Sequence, residues 1–395
     1  MMTEQNTTPL EADDTTTVFD ADPPGDRETD AVPPGPRRPE PVLPPRLATQ
    51  EVLGQAGRRG PFRYGERVQV TDVKGAKNTF QLDPRGYFQS VRGSFHHRDV
   101  VGLEEGTVLT TDSGHELLLL RPLLADYVLS MPRGAQVVYA KDSGQVIAMG
   151  DIFPGARVLE AGVGSGALTM NLLSAVGESG HLLSIERRAD FAQIAASNVD
   201  SWFGRHHPAW ELRTGDFAEV TAHHVPDASV DRVVLDMLAP WENIEESARV
   251  LVPGGLFLAY VATTTQLSRT VEALRHSLLF TEPESWESMV RTWNVDGLSV
   301  RPDHRMVAHT GFLLTARRLA AGSRPLTRKR PPARGAYDDA GYWEPQDVRE
   351  RTSTDRKVRR VLRDCLAKQP QDRTPVLPGT PADSGEDTTR TREHD

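Results

Sequence analysis

From Ala156 to Ser277 the chain alternates five short apolar runs with segments of helical period. The runs are ARVLEAG, HLLSIER, WELRTGD, SVDRVVLDM and LFLAYVA. Between and after them lie ALTMNLLSAVG, ADFAQIAASNVDSWFG, IEESARVLV and TTQLSRTVEALRHS. Successive parallel strands need crossovers, so this alternation predicts an α/β fold: a mostly parallel sheet with helices on both faces. Pro253-Gly254-Gly255 is expected to break the chain before the fifth strand. SWESMVRTWNV and HTGFLLTARRL read as two final strands able to pair antiparallel.

The texture before this block is different. From about residue 62, FRYGERVQVTD, NTFQLDP, YFQSVRGSFHH and GTVLTTDSGHELLLL are short alternating runs punctuated by Gly, Asp and Pro. They predict a small β domain over 46–121, ahead of a larger domain over 122–320. PLLADYVLSM reads as a short helix, and QVVYAKDSGQVIAMGDI as a strand, a turn and a helix.

Both ends are expected to be poor in order. Residues 1–45 are rich in Pro, Thr, Asp and Glu and hold too little apolar surface to offset the entropy of ordering. Residues 321–395 are basic, then acidic, and largely disordered by the same reasoning, with TDRKVRRVLRDCLAKQ as a candidate amphipathic helix. The net charge of −9 conceals this distribution. Residues 1–50 hold 4 basic and 10 acidic side chains, whereas 51–100 hold 9 and 5, and 321–368 hold 13 and 7. Two segments could therefore meet phosphate, or could simply be solvated surface.

No apolar run approaches the ~20 residues of a membrane helix. The acidic start, Met1-Met2-Thr3-Glu4, lacks the basic and apolar parts of a secretory signal. Cys365 is the one cysteine, which excludes an intrachain disulfide and disfavours a cysteine zinc site. A cytoplasmic location, with no membrane and no metal, is the expectation.

The first strand runs into Glu160, Gly162, Gly164 and Gly166, each separated by one residue. Ligands of parallel sheets bind at the carboxyl ends of the strands, where strand order reverses. A glycine turn there admits close approach to the backbone and presents N–H donors at a helix start. A ligand-free tight turn would use the same residues. Glu186 ends the second strand, placed to accept hydrogen bonds from both hydroxyls of a ribose. Asp216, after the third strand, could reach an adenine amine or be a surface acid. Glu160 would repel a pyrophosphate but attract an amine or sulfonium, which favours S-adenosylmethionine over a dinucleotide. Asp236 ends the fourth strand beside the expected methyl position, unless it caps the next helix. Trp241, after Pro240, offers a plane for stacking a base. Tyr139 offers a second ring, or is a core tyrosine.

RGAQVVYAKDSGQVIAMGDIFPGARVLEAGVGSGALT, SIERRADFA, VDRVVLDMLAPWE and RPDHRMVAHTGFLLTARRL resemble the bacterial tRNA (adenine-58-N1)-methyltransferase family over about 60–320. The resemblance implies a class I, Rossmann-like methyltransferase with a seven-stranded sheet behind a small β domain, assembled as a homotetramer. It implies methyl transfer from S-adenosylmethionine to N1 of adenine 58 in the tRNA T-loop. Ser165, Gly166, Ala167, Leu168, Glu186, Asp216 and Asp236 would line the cofactor site. Asp236 would be catalytic, and Tyr139 would hold the target base. The alternatives are a class I methyltransferase for another RNA, a protein or a small molecule, a nucleotide-dependent oxidoreductase, and a silent tRNA-binding subunit.

Overall fold

The structure is a computed structural model that describes residues 59–326 and 355–366. The expectations for 1–45 and for most of 321–395 lie outside the described residues.

The first strands are β1 (Arg67–Asp72), β2 (Lys77–Gln81), β3 (Tyr87–Ser90), β4 (Gly93–His96), β5 (Val108–Thr110) and β6 (Glu116–Leu120). Four of them form an antiparallel sheet in the order β2-β1-β6-β5, and β3 pairs with β4 as a hairpin. The alternation of the sequence sends Val68, Val70, Leu117 and Leu119 to one buried face. Phe88 and Phe95 stack across the hairpin with ring centroids 5.0 Å apart, and Phe80 stacks on Phe88 at 5.0 Å.

Two helices follow, α1 (Leu124–Ser130) and α2 (Ala140–Met149). The strand expected at Gln136–Tyr139 is absent, and that stretch is irregular. Val137 and Val138 are buried as a strand pair would be, but through packing alone. Tyr139 instead starts α2, its carbonyl accepting from the amides of Asp142 and Ser143, each at 2.9 Å.

The larger sheet alternates with helices: β7 (Arg157–Ala161), α3 (Ala167–Val176), β8 (His181–Glu186), α4 (Ala189–Phe203), β9 (Trp210–Thr214), α5 (Phe217–His224), β10 (Val230–Leu235), α6 (Ile244–Val250), β11 (Leu251–Val261) and α7 (Thr264–Ser277). The chain then runs through β12 (Glu284–Trp286), β13 (Trp293–Asp296), β14 (Ser299–Pro302) and β15 (Phe312–Arg317). Seven strands stand in the order β12-β15-β11-β10-β7-β8-β9, with β15 antiparallel to both of its neighbours. Side chains alternate between two cores. Val158, Leu182, Val234 and Leu258 face α1 to α3, whereas Leu159, Val233, Leu235 and Phe257 face α5 to α7.

Three details differ from the sequence reading. Pro253-Gly254-Gly255 does not precede the fifth strand but lies inside β11. The register jumps from Val230↔Leu251 to Arg232↔Leu256, so the extra residues bulge out, with Gly254 at φ +80°. The run SWESMVRTWNV is not one strand: β12 stops at Trp286, and β13 and β14 form a separate hairpin. The third difference is α5, which sequence reading passed over, although Asp216 and Glu219 have the spacing of a helix start. Beyond the sheet, α8 (Asp355–Leu366) fits the expected amphipathic helix.

Candidate active site

Strand order reverses between β7, which leads to β8 and β9, and its other neighbour β10, which leads to β11. The crevice at the carboxyl ends of β7 and β10 is where such sheets bind ligands. Gly162 follows β7 and Asp236 follows β10, and the Asp236 amide donates to Ala161 O at 2.9 Å. Gly162 has φ +85°, and a Cβ there would come within 1.8 Å of the Asp236 carbonyl oxygen. Only glycine lets the two backbones meet this way.

Gly166, in the left-handed region at φ +84°, begins α3 without any side-chain cap. The first-turn amides of α3, those of Ala167 and Leu168 among them, therefore form an anion-favouring end at the glycine loop. Ser165 is buried and its Oγ has no hydrogen-bond partner among the described residues. Its carbonyl is held by Asn198 Nδ2 at 2.9 Å, which fixes the loop from α4. A buried hydroxyl without a partner is costly unless something else bonds it.

Glu186 ends β8 and reaches across to the loop. Its Oε2 accepts from the Gly164 amide at 2.9 Å and its Oε1 from the Arg188 amide at 3.0 Å. Burial raises its pKa, and these two amides oppose the rise.

Glu160 sits deeper than the sequence reading had it. It is 1% exposed, and the Thr169 hydroxyl lies 3.0 and 2.9 Å from its two oxygens. Ser184, its partner in the β7–β8 register, donates to Oε2 at 2.6 Å and in turn accepts from Trp210 Nε1 at 2.9 Å. Glu160 therefore faces α3 and β8 beneath the loop, and acts on the crevice through its field. Burial pushes its carboxyl up to about 7, and Glu186 adds to the rise.

Asp236 is half-buried, and burial, then Glu160 and Glu186, lift it to about 7. Its carboxylate makes no hydrogen bond among the described residues, so it caps nothing. The next turn, Pro240–Asn243, is entered from Ala239 without a side-chain cap. Glu186 raises the pKa of Glu160, and both raise that of Asp236, so a cation is welcome beside Asp236.

Asp216, expected at an adenine amine, is exposed and caps α5, its Oδ1 accepting from the Ala218 amide at 2.9 Å. Trp241 has the guanidinium of Arg269 lying 4.8 Å from its ring centre, so one face already carries a cation. Tyr139 is half-buried at the head of α2. The Tyr260 hydroxyl feels Asp142, Asp236 and Tyr139, which places Tyr139 and Asp236 around one locus.

Sequence reasoning missed the network behind that locus. Lys141 Nζ donates to Asp142 Oδ1 at 2.7 Å, Ser288 O at 2.7 Å and Thr310 Oγ1 at 2.6 Å. Thr310 Oγ1 lies 2.6 Å from Asp142 Oδ2, and Ser288 Oγ donates to Oδ1 at 2.8 Å. Gly311 leaves room for the Tyr260 ring, since a Cβ there would lie 2.4 Å from its Cζ. The motifs YAKD and HTGF were visible separately; nothing in their spacing showed that they meet.

Two family models match the chain: TrmI-like N-terminal over residues 60–109, and tRNA methyltransferase complex GCD14 subunit over 117–302. The tRNA (adenine(58)-N(1))-methyltransferase TrmI of Thermus thermophilus is 35% identical over 239 residues, 60% of this chain and 90% of the relative. The tRNA (adenine(57)-N(1)/adenine(58)-N(1))-methyltransferase TrmI of Methanocaldococcus jannaschii is 31% identical over 240 residues, 55% of this chain and 84% of the relative. Among solved structures, an S-adenosylmethionine-dependent O-methyltransferase from Thermotoga maritima superposes with TM-score 0.62 at 30% identity, over 67% of this chain and 96% of the other. The tRNA (m1A58) methyltransferase TrmI of Aquifex aeolicus superposes with TM-score 0.59 at 25% identity, over 66% and 100%. With its sheet order and glycine loop, and with relatives of this identity matched over nearly their full length, the chain belongs to the TrmI family of tRNA (adenine-58-N1)-methyltransferases.

Proposed function

We propose that this chain transfers a methyl group from S-adenosylmethionine to N1 of adenine 58 in the T-loop of tRNA. The observation that carries the reading is the backbone contact of Gly162 with Asp236, which brings a glycine loop beside a residue whose carboxylate has no hydrogen-bond partner among the described residues. The cofactor fits on the evidence of Ser165, whose buried Oγ lacks a partner among the described residues. When bound, S-adenosylmethionine supplies an electrophilic methyl on a sulfonium.

The residues of the chain divide the work. Ser165 donates or accepts the hydrogen bond its burial otherwise denies it. Glu186 has lone pairs beyond those taken by Gly164 and Arg188 and would accept from the ribose hydroxyls. The first turn of α3, with Ala167 and Leu168, would take the carboxylate end of the cofactor at its positive pole. Asp216, after β9, would meet the adenine amine with the lone pairs that its cap to Ala218 leaves free. Glu160, Glu186 and Asp236 together favour the sulfonium and the amino group.

Adenine N1 lies on the pairing edge, so the base must leave its stack to react. Tyr139 holds the flipped ring and Trp241, with Arg269 on it, flanks the entry. Asp236 accepts a hydrogen bond from the N6 amine. That raises electron density on the ring and steadies the positive charge that develops as N1 is methylated. Alignment of N1 with the methyl supplies most of the remainder.

The reading carries a cytoplasmic location and a homotetramer with it. Among the described residues no helix is long and apolar enough to cross a membrane. Self-association is supported by the β13–β14 hairpin, where Trp293, Val295, Leu298 and Val300 are all exposed. Trp293→Asp with Leu298→Asp should give a smaller species in sedimentation velocity; an unchanged sedimentation coefficient would remove the hairpin from the interface. Label from S-adenosylmethionine should enter an unmodified tRNA transcript, and guanine in place of adenine 58 should abolish the transfer.

A further inference from the structure

Helix α8 lies beyond both matched family regions, which end at residues 109 and 302. It is strongly two-faced. Val358, Val361 and Cys365 are buried, and they pack with Leu362 against Phe191 and Ile194 of α4 and against Ala135. Positions i, i+3 and i+7 form one stripe, so the helix docks by a single apolar face. The opposite face exposes Arg356, Lys357, Arg359, Arg360 and Arg363, which line one shallow cleft.

The docking point matters. Phe191 and Ile194 open α4, directly after Glu186 and Arg188, and the Arg188 guanidinium lies 4.2 Å from the Phe191 ring centre. Ala135 belongs to the segment leading to Tyr139, and its Cβ would lie 3.9 Å from a Cβ on Gly164. The five cations are thus held on the element that borders the cofactor loop and the path to the base-holding tyrosine.

We propose that α8 is a docked phosphate clamp, which holds the backbone of the tRNA whose adenine enters the crevice. This rests on the function proposed above. Five cations against one exposed acid among the described side chains of the helix, Asp364, in a chain of net charge −9, suit a polyanion. A membrane is disfavoured by the same geometry: an amphipathic helix inserts its apolar face into lipid, and here that face is buried on α4. Arginine forks suit phosphate oxygens through paired hydrogen bonds.

The test uses the full chain with Arg356, Lys357, Arg359, Arg360 and Arg363 all changed to Gln, leaving the apolar stripe intact. A second variant changes the four arginines to Lys, which keeps charge on the same helix. With unmodified tRNA at about 0.15 M salt, the Gln variant should show KM for tRNA raised at least about tenfold. The slope of log affinity against log salt should become shallower by about 2 to 4, as fewer counterions are released. The Lys variant should recover the salt slope and part of the affinity, since lysine keeps the charge without the paired hydrogen bonds, and S-adenosylmethionine affinity measured without tRNA should be the same in all three proteins. A Gln variant with the parental KM and salt slope would overturn the clamp. So would a Gln variant whose loss is confined to cofactor affinity, since the helix would then only brace the loop. Failure of the parental chain to methylate tRNA at all would instead overturn the function on which the clamp rests.

Discussion

A Cβ placed on Gly162 would stand 1.8 Å from the carbonyl oxygen of Asp236. The glycine loop and the end of β10 therefore meet backbone to backbone, and this contact fixes the backbone that carries the Asp236 carboxylate. Gly162→Ala must displace Asp236 and also strain a residue at φ +85°. It should destabilise the fold by about 2–4 kcal/mol in denaturant titration. Gly164 has φ +56° with nothing nearer than Ala135 Cβ at 3.9 Å, so Gly164→Ala should cost only about 1–2 kcal/mol. Equal losses at the two positions would refute the contact.

Ser165 gives a test in which stability and binding move in opposite senses. Its Oγ is buried without a partner among the described residues, so Ser165→Ala should leave the free protein as stable or slightly more so. Affinity for S-adenosylmethionine should fall by about fivefold to tenfold, the worth of one hydrogen bond. Calorimetry and thermal melting together decide it; a destabilised variant with normal affinity would contradict the assignment.

Burial lifts the Glu160 carboxyl from 4.5 to about 7, so the folded chain holds its proton where the unfolded chain has released it. Stability contributed by this group should thus fall as pH rises from about 4.5 to about 7, and level off above. Glu160→Gln should flatten that decline by up to about 3 kcal/mol in denaturant titrations at several pH values. A cationic ligand should also expel protons from the three-acid cluster. Binding of S-adenosylmethionine near pH 6 should therefore release protons, visible as a dependence of the binding heat on buffer. A decline as steep in Glu160→Gln as in the parent would assign the pH dependence elsewhere.

The parallel sheet, the glycine loop and the strand-end acids Glu186 and Asp236 were legible in the sequence, because each follows from local patterning. Val137 and Val138 misled, since β-branched residues favour a strand only when a neighbour supplies the ladder. Pro253-Gly254-Gly255 misled for a similar reason: punctuation residues mark a bulge as readily as a break, and the partner strand decides. Glu160 was placed correctly along the chain, but the inward turn of its side chain depends on Thr169 and Ser184. The joining of Lys141 and Asp142 to Thr310 is a contact across 168 residues between Asp142 and Thr310, beyond any local rule.

Asp236 carries the chemical step in this account. Asp236→Asn keeps the size and loses the charge, so single-turnover methylation should fall by about 10²-fold or more. The fold should be retained, because the carboxylate makes no hydrogen bond among the described residues. A single-turnover rate equal to that of the parent would release Asp236 from the reaction.

The most direct test is the identity and position of the product. Purified chain, S-adenosylmethionine and unmodified tRNA are incubated, the tRNA is digested, and the methylated nucleoside is identified by mass spectrometry and mapped. The expected product is N1-methyladenosine at position 58 of the T-loop. A methyl group on a sugar or base oxygen, on another base, or no transfer at all would contradict it.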